Sequence, residues 1–174
     1  MSKQVVGRLD SVIAVSLDPG EDLLAGITEA ARQNDIRAGV VMSVTGALNS
    51  ARLQHFKGGY IEVVDVPGPL EASGHGIIGK VRAPQYGDQP VGVHPIYDKG
   101  PYIHVHMTVT SETETICGHL MPGCTVWSRQ PRSHFTVFLS SFSGITLYQA
   151  AGGHPSKPEA GFQLYHDLTA DGEA

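Results

Sequence analysis

Apolar and polar residues alternate with period two over most of this chain and with helical spacing over one short stretch. That contrast predicts a strand-rich fold built around one principal helix. Residues 5–17 (VVGRLDSVIAVSL) read as strand, rich in β-branched side chains and interrupted at Gly7. Asp18-Pro19-Gly20-Glu21-Asp22 then supplies a helix start, with acids at the positive end of the coming dipole. Leu23, Leu24, Ile27, Ala30 and Ala31 follow at helical spacing, so 21–34 is an amphipathic helix with one buried stripe. Residues 37–48 return to strand, giving a β-α-β-like unit whose crossover is expected to be right-handed.

Beyond Gly46 the pattern is one of short strands separated by turn residues. They are expected at 50–56, 60–66, 69–81, 102–110, 115–120, 123–129, 134–140 and 144–150, with Gly58-Gly59 and Pro67-Gly68-Pro69 as punctuation. The fold class is therefore α+β: a largely antiparallel, curved sheet with one principal amphipathic helix and flanking short helices. A single domain over 1–152 is expected, followed by a partly docked tail over 153–174 in which Phe162, Leu164 and Tyr165 are able to form a last strand. Residues 83–101 (APQYGDQPVGVHPIYDKGP) have no periodicity and many prolines and glycines, which marks a long loop or lid.

That loop runs into Tyr102-Ile-His-Val-His-Met-Thr-Val109. Alternation puts Ile103, Val105, Met107 and Val109 on one face and Tyr102, His104, His106 and Thr108 on the other. The two histidines thus project together from the face opposite the core, with Cα atoms roughly 6.5–7 Å apart. In Thr115-Ile-Cys-Gly-His-Leu120, inward Ile116 and Leu120 leave His119 on the histidine face. A four-residue hairpin loop at Ser111-Glu-Thr-Glu114 leads to the same result, setting His119 directly opposite His106. Three imidazoles with a fourth position open describe a catalytic or exchangeable site for Zn²⁺ or another divalent transition metal. Around it, Glu71 is a candidate general base or outer-shell partner, and His75, His94 and Arg37 are candidate pocket residues. Cys117 shares the histidine face as a neighbour. The plainer reading of Glu71, His75, His94 and Cys117 is that of ordinary packed or solvated residues.

Composition narrows the options. Of 174 residues nine are histidine, and the net charge is −5 with twelve Lys and Arg scattered along the chain. Nucleic-acid binding draws its affinity from clustered cations, so DNA is a disfavoured partner, with a patch assembled by folding or oligomerisation left open. No apolar run is long enough to span a bilayer, so no membrane partner is expected. Two cysteines without framework spacing and no signal-peptide pattern point to the cytoplasm. There is no GxSxG elbow, P-loop, dinucleotide fingerprint or CxxC pair.

Several segments together resemble the PPC domain (plants and prokaryotes conserved, also called PCC). They are Ala14-Val-Ser-Leu-Asp-Pro-Gly-Glu-Asp22 leading into a helix, Ile36-Arg-Ala-Gly-Val-Val41 continuing to Thr45-Gly-Ala-Leu48, and Gly68-Pro-Leu-Glu71 before a glycine-containing strand. His104-Val-His106 and Gly118-His119-Leu120 complete the ordered set, which covers about residues 7–150. The resemblance implies a largely antiparallel sheet flanked by helices, a homotrimer, and metal binding at His104, His106 and His119. In plant relatives the domain accompanies AT-hook motifs; this chain has no Arg-Gly-Arg-Pro hook. The 83–101 segment and His75 depart from the compact plant version. Two functions stay open at this point. One is a metal-dependent protein, a hydrolase or lyase if an enzyme, whose small substrate carries a carboxylate held by Arg37, Arg52 or Arg82. The other is a non-enzymatic, DNA-associated or oligomerisation module.

Overall fold

Asp22 shows how local sequence starts the structure. Its side chain accepts a hydrogen bond from Ala25 N at 2.9 Å and caps α1 (Leu23–Gln33). The stripe of Leu23, Leu24, Ile27, Ala30 and Ala31 is buried as the spacing requires. The structure, a computed structural model, describes residues 3–58, 60–81, 101–154 and 157–171. Besides α1 these residues contain nine strands: β1 (Arg8–Ser16), β2 (Gly39–Lys57), β3 (Tyr60–Val81), β4 (Pro101–Thr110), β5 (Thr115–Leu120), β6 (Thr125–Val126), β7 (Thr136–Ser143), β8 (Ile145–His154) and β9 (Lys157–Ala170). Among the described residues α1 is the one helix, so the expected short flanking helices are not found there.

The strands form one sheet in the order β1-β7-β2-β5-β4-β3-β8-β9, with β6 on β2. All pairings are antiparallel except β3 with β8. The β-α-β unit is split: β7 lies between β1 and β2 and runs antiparallel to both. β2 also pairs with β3 along nearly its whole length, so β2–β3, β3–β4, β4–β5 and β5–β2 form a closed circuit of pairings.

Two strand boundaries differ from the sequence reading. The strands expected at 37–48 and 50–56 are one, β2, which starts at Gly39, and those expected at 60–66 and 69–81 are also one, β3. Pro67-Gly68-Pro69 does not end β3; pairing is interrupted between Leu48 and Ser50 and resumes on either side. This irregularity has the form of a β-bulge, which bends a strand without ending it. A Cβ on Gly68 would lie 2.5 Å from the Asn49 carbonyl oxygen, so glycine is what allows the strands this close there. The expected strand 123–129 shrinks to β6, two residues long. Residues 157–170, placed in the tail, make a long antiparallel partner for β8.

The core lies between α1 and the inner face of the sheet. Ile103, Val105, Met107 and Val109 of β4 are each at most 1% exposed. They pack with Leu48, Leu53, Ile78, Leu120, Phe135 and the helix stripe. Fixing these residues inward fixes their alternate neighbours outward, and the histidines are among those neighbours.

Candidate metal centre

The β4–β5 hairpin has the four-residue loop and the register that alternation and turn length imply. Thr110 pairs with Thr115, Val109 with Ile116, Thr108 with Cys117, Met107 with Gly118 and His106 with His119. Ser111 holds the loop: its N–H donates to the Glu114 carbonyl at 2.9 Å, and its Oγ accepts from the backbone N–H groups of Thr113 and Glu114. On the neighbouring strand Gly74 and Gly76 face β4 with no side chain. A Cβ on Gly76 would stand 2.2 Å from the His104 carbonyl oxygen, so glycine permits this approach of β3 to the histidine strand.

The result is a convergent triplet. His104 Nε2 and His106 Nε2 are 3.1 Å apart, and one ring nitrogen from each of His104, His106 and His119 lies within 4.8 Å of the others. The His104 and His106 rings stack at 5.1 Å, and His119 meets both edge-on at 4.8 and 5.7 Å. A tetrahedral zinc with Zn–N bonds near 2.05 Å sets its nitrogen ligands about 3.3 Å apart. The His104–His106 spacing matches that edge, and the third nitrogen lies within 4.8 Å of both. The donor set therefore fits Zn²⁺ or another divalent transition ion.

Protonation favours the same use. Burial, with the neighbouring His106 and His166, pushes His104 down to about 4. Burial also lowers His166. His104 is therefore neutral at pH 7 and offers a lone pair, the state a ligand requires. His104 is oriented from behind. Its Nδ1 lies 2.5 Å from the hydroxyl of Tyr102, which is 3.1 Å from His166 Nε2.

The other candidates are dispersed. His75 is exposed and stands opposite His106 in register, within reach of the triplet's face. Glu71 pairs with Thr110 at the hairpin end, four residues from His106, or roughly 13 Å along the strand. Arg37 is exposed and bonded to Asp35 at 3.2 Å, and Arg52 is bound to Asp65 at 3.2 Å. His94 and Arg82 lie outside the described residues, as does 83–101 apart from Pro101. Cys117 is exposed on the histidine face. Beside His106 runs an open groove of about 430 Å³, whose polar lining includes Ser43, Thr45, Ser73, His75, Thr108 and Cys117. Sequence reading placed Tyr102 on the histidine face without giving it a task, and it missed His166 altogether. No local pattern marks His166, because the pairing of β9 with β8 is what brings it near.

The sequence profile of the Plants and Prokaryotes Conserved (PCC) domain matches residues 4–130, a span that holds all three histidines of the triplet. The chain belongs to the PCC family. Among solved structures, this PCC chain is similar to a plant- and prokaryote-conserved protein from Pyrococcus horikoshii, with TM-score 0.66 and 19% identity over 97% of this chain and 99% of that one. It is equally similar in fold to a metal-containing protein from Archaeoglobus fulgidus, with TM-score 0.66 and 22% identity over 85% and 91% of the two chains. A candidate DNA-binding protein from Ralstonia eutropha JMP134 gives TM-score 0.59 at 17% identity over 91% and 90%. At these identities the likeness is one of fold. In sequence the PCC chain is 26% identical over 125 residues to the bifunctional protein GlmU of Synechococcus sp. (strain JA-2-3B'a(2-13)), and the match covers 67% of this chain and 15% of that much longer protein.

Proposed function

We propose that this PCC-domain protein is a homotrimeric metal-binding protein that uses His104, His106 and His119 to hold Zn²⁺ or another divalent transition ion and acts on a small molecule at that centre. The observation that carries the reading is the convergence of three imidazole nitrogens within 4.8 Å on one hairpin. The metal-containing relative of the same fold adds support. A bound ion of this type lowers the pKa of a coordinated water or polarises a carbonyl, which suits a hydrolase or lyase. Around it, the protein's own groups hold His104 neutral and oriented, and the groove beside His106 offers hydroxyl and imidazole groups for a polar substrate. A carboxylate on that substrate would need a cation, and neither Arg37 nor Arg52 lines the groove; both are turned to acidic partners. Glu71 stands too far along β3 to serve as the general base without rearrangement.

Self-association has support on the same face. The row His75–His106–His119–Gln54–Val63 runs directly across five strand positions. Phe56 and Ile61 pair next to it, and with Val63 they are 78%, 61% and 48% exposed. An apolar patch of this kind beside a functional centre favours contact between copies. The cytoplasm remains the expected location; among the described residues no helix is long and apolar enough to cross a membrane.

The test is metal analysis of protein purified without a histidine tag. About one equivalent of transition metal per chain is expected, lost on His106→Ala. Less than about a tenth of an equivalent, with no uptake on titration, overturns the reading. Candidate DNA-binding proteins among similar structures favour one further reading, a DNA-associated or oligomerisation module. The net charge of −5 weighs against it. A gel shift across a salt series decides: absence of duplex binding at low salt removes the DNA-associated form.

A further inference from the structure

A second pattern of contacts adjoins the triplet through His104. Tyr102 lies on β4, two residues before His104, and is 3% exposed although its strand position points to the outer face. Its hydroxyl meets His104 Nδ1 at 2.5 Å and His166 Nε2 at 3.1 Å. His166 belongs to β9, C-terminal to residues 4–130 that the PCC profile matches. The Tyr102 and His166 rings lie 5.6 Å apart, and those of His104 and His166 5.5 Å apart.

Hydrogen-bond bookkeeping then orders the protons. If His104 presents the lone pair of Nε2 to the point it shares with His106, its proton sits on Nδ1. That N–H donates to Tyr102 Oη, and a Tyr102 O–H directed at His166 Nε2, 3.1 Å away, continues the chain. The opposite tautomer of His104 puts a hydrogen on Nε2, aimed at the His106 nitrogen 3.1 Å away, and blocks a shared ligand. A ligating histidine is commonly fixed in tautomer and ring angle by what its other nitrogen touches.

From this geometry we infer that Tyr102 and His166 are positioning residues for the metal centre: a chain His104–Tyr102–His166 holds His104 in its ligating tautomer, so that the C-terminal hairpin β8–β9 stabilises the site. The inference rests on the proposed metal reading and adds to it a role for β9, which follows the matched residues 4–130. His104 is a ligand in this scheme, while Tyr102 and His166 act only through it.

The test measures Zn²⁺ affinity by competition with a chromophoric chelator for the wild type, Tyr102→Phe, His166→Ala and His166→Gln, and for the double variant Tyr102→Phe/His166→Ala. Co²⁺ absorption is recorded on the same proteins. Tyr102→Phe keeps the ring and removes the hydroxyl, so it is expected to weaken Zn²⁺ binding by about tenfold to a hundredfold and to alter the Co²⁺ bands. His166→Ala is expected to weaken it less, and His166→Gln, which retains an acceptor, to restore most of the loss. The double variant is expected to bind no more weakly than Tyr102→Phe, because both residues act through one chain. Wild type that loads metal beside variants that load equally tightly overturns this inference and leaves the metal reading standing. Additive losses, or a His166→Gln variant as weak as His166→Ala, also overturn it. Wild type that takes up no metal overturns both. Thermal melts of the metal-free proteins separate damage to the fold from damage to the site: a loss of affinity that tracks a loss of apo stability, with unchanged Co²⁺ bands, counts against the chain.

Discussion

Gly76→Ala is a single-atom perturbation aimed at the backbone that carries the histidines. The new Cβ would lie 2.2 Å from the His104 carbonyl oxygen, 2.7 Å from Val105 Cα and 2.8 Å from Val105 Cγ2. Carbon–oxygen contacts in sheets settle near 3.3–3.6 Å, so β3 and β4 must separate locally by about 1 Å. Two of the three obstructing atoms are backbone, paired in register at Gly76↔Val105 and Ile77↔His104, and a side-chain rotation cannot relieve them. Overpacking of this kind costs about 1–3 kcal/mol. The alanine recovers roughly 0.4–1 kcal/mol by restricting the unfolded chain, so the net loss is below about 2.6 kcal/mol and about 1.3 kcal/mol at mid-range. For a chain of this size that corresponds to a fall in melting temperature of roughly 2–8 °C. Because β4 presents both His104 and His106, Zn²⁺ affinity falls with it. Differential scanning calorimetry on the metal-free protein and chelator competition on the loaded one give the two readouts. An unchanged or raised melting temperature with unchanged affinity would refute the argument that this glycine sets the approach of β3 to the histidine strand.

Three further outcomes follow from individual contacts. Asp22→Ala removes acceptors for Ala25 N at 2.9 Å and Gly123 N at 2.7 Å, and a loss of about 1–3 kcal/mol is expected in chemical denaturation, with Asn at this position losing less. A thiol reagent should modify one cysteine per folded chain, exposed Cys117, while buried Cys124 reacts only on unfolding, as peptide mapping will show. Burial pushes the Cys124 thiol up to about 11 from 9.0; the unfolded chain releases this proton first, so stability is lost as pH rises from 9 through 11. Cys124→Ala should flatten that part of an alkaline denaturation profile, and an identical alkaline slope in the variant would count against it.

What could be read from the sequence follows the distance over which each feature is determined. The helix is specified by its own stripe and by Asp22 at its start, and both are local. The triplet is nearly as local: His104, His106 and His119 lie on one hairpin, whose register follows from an apolar alternation and a four-residue loop. Pro67-Gly68-Pro69 misled because such residues signal that regular pairing is disturbed, not that the strand ends; β3 continues because β2 remains its partner on both sides. The insertion of β7 between β1 and β2 leaves no trace in either strand, since a central strand's apolar pattern does not name its neighbours. His166 is the sharpest case. It is 64 residues from Tyr102, on a strand whose pairing partner among the described residues is β8, which in turn pairs with β3 through Lys80 and Val81. Ligands drawn from one hairpin can be anticipated from side-chain periodicity, whereas the groups that orient those ligands are selected by strand pairing across the whole chain. Residues 4–130 therefore contain the triplet and the register that makes it, while the partner that closes the hydrogen-bond chain behind His104 comes from outside that span.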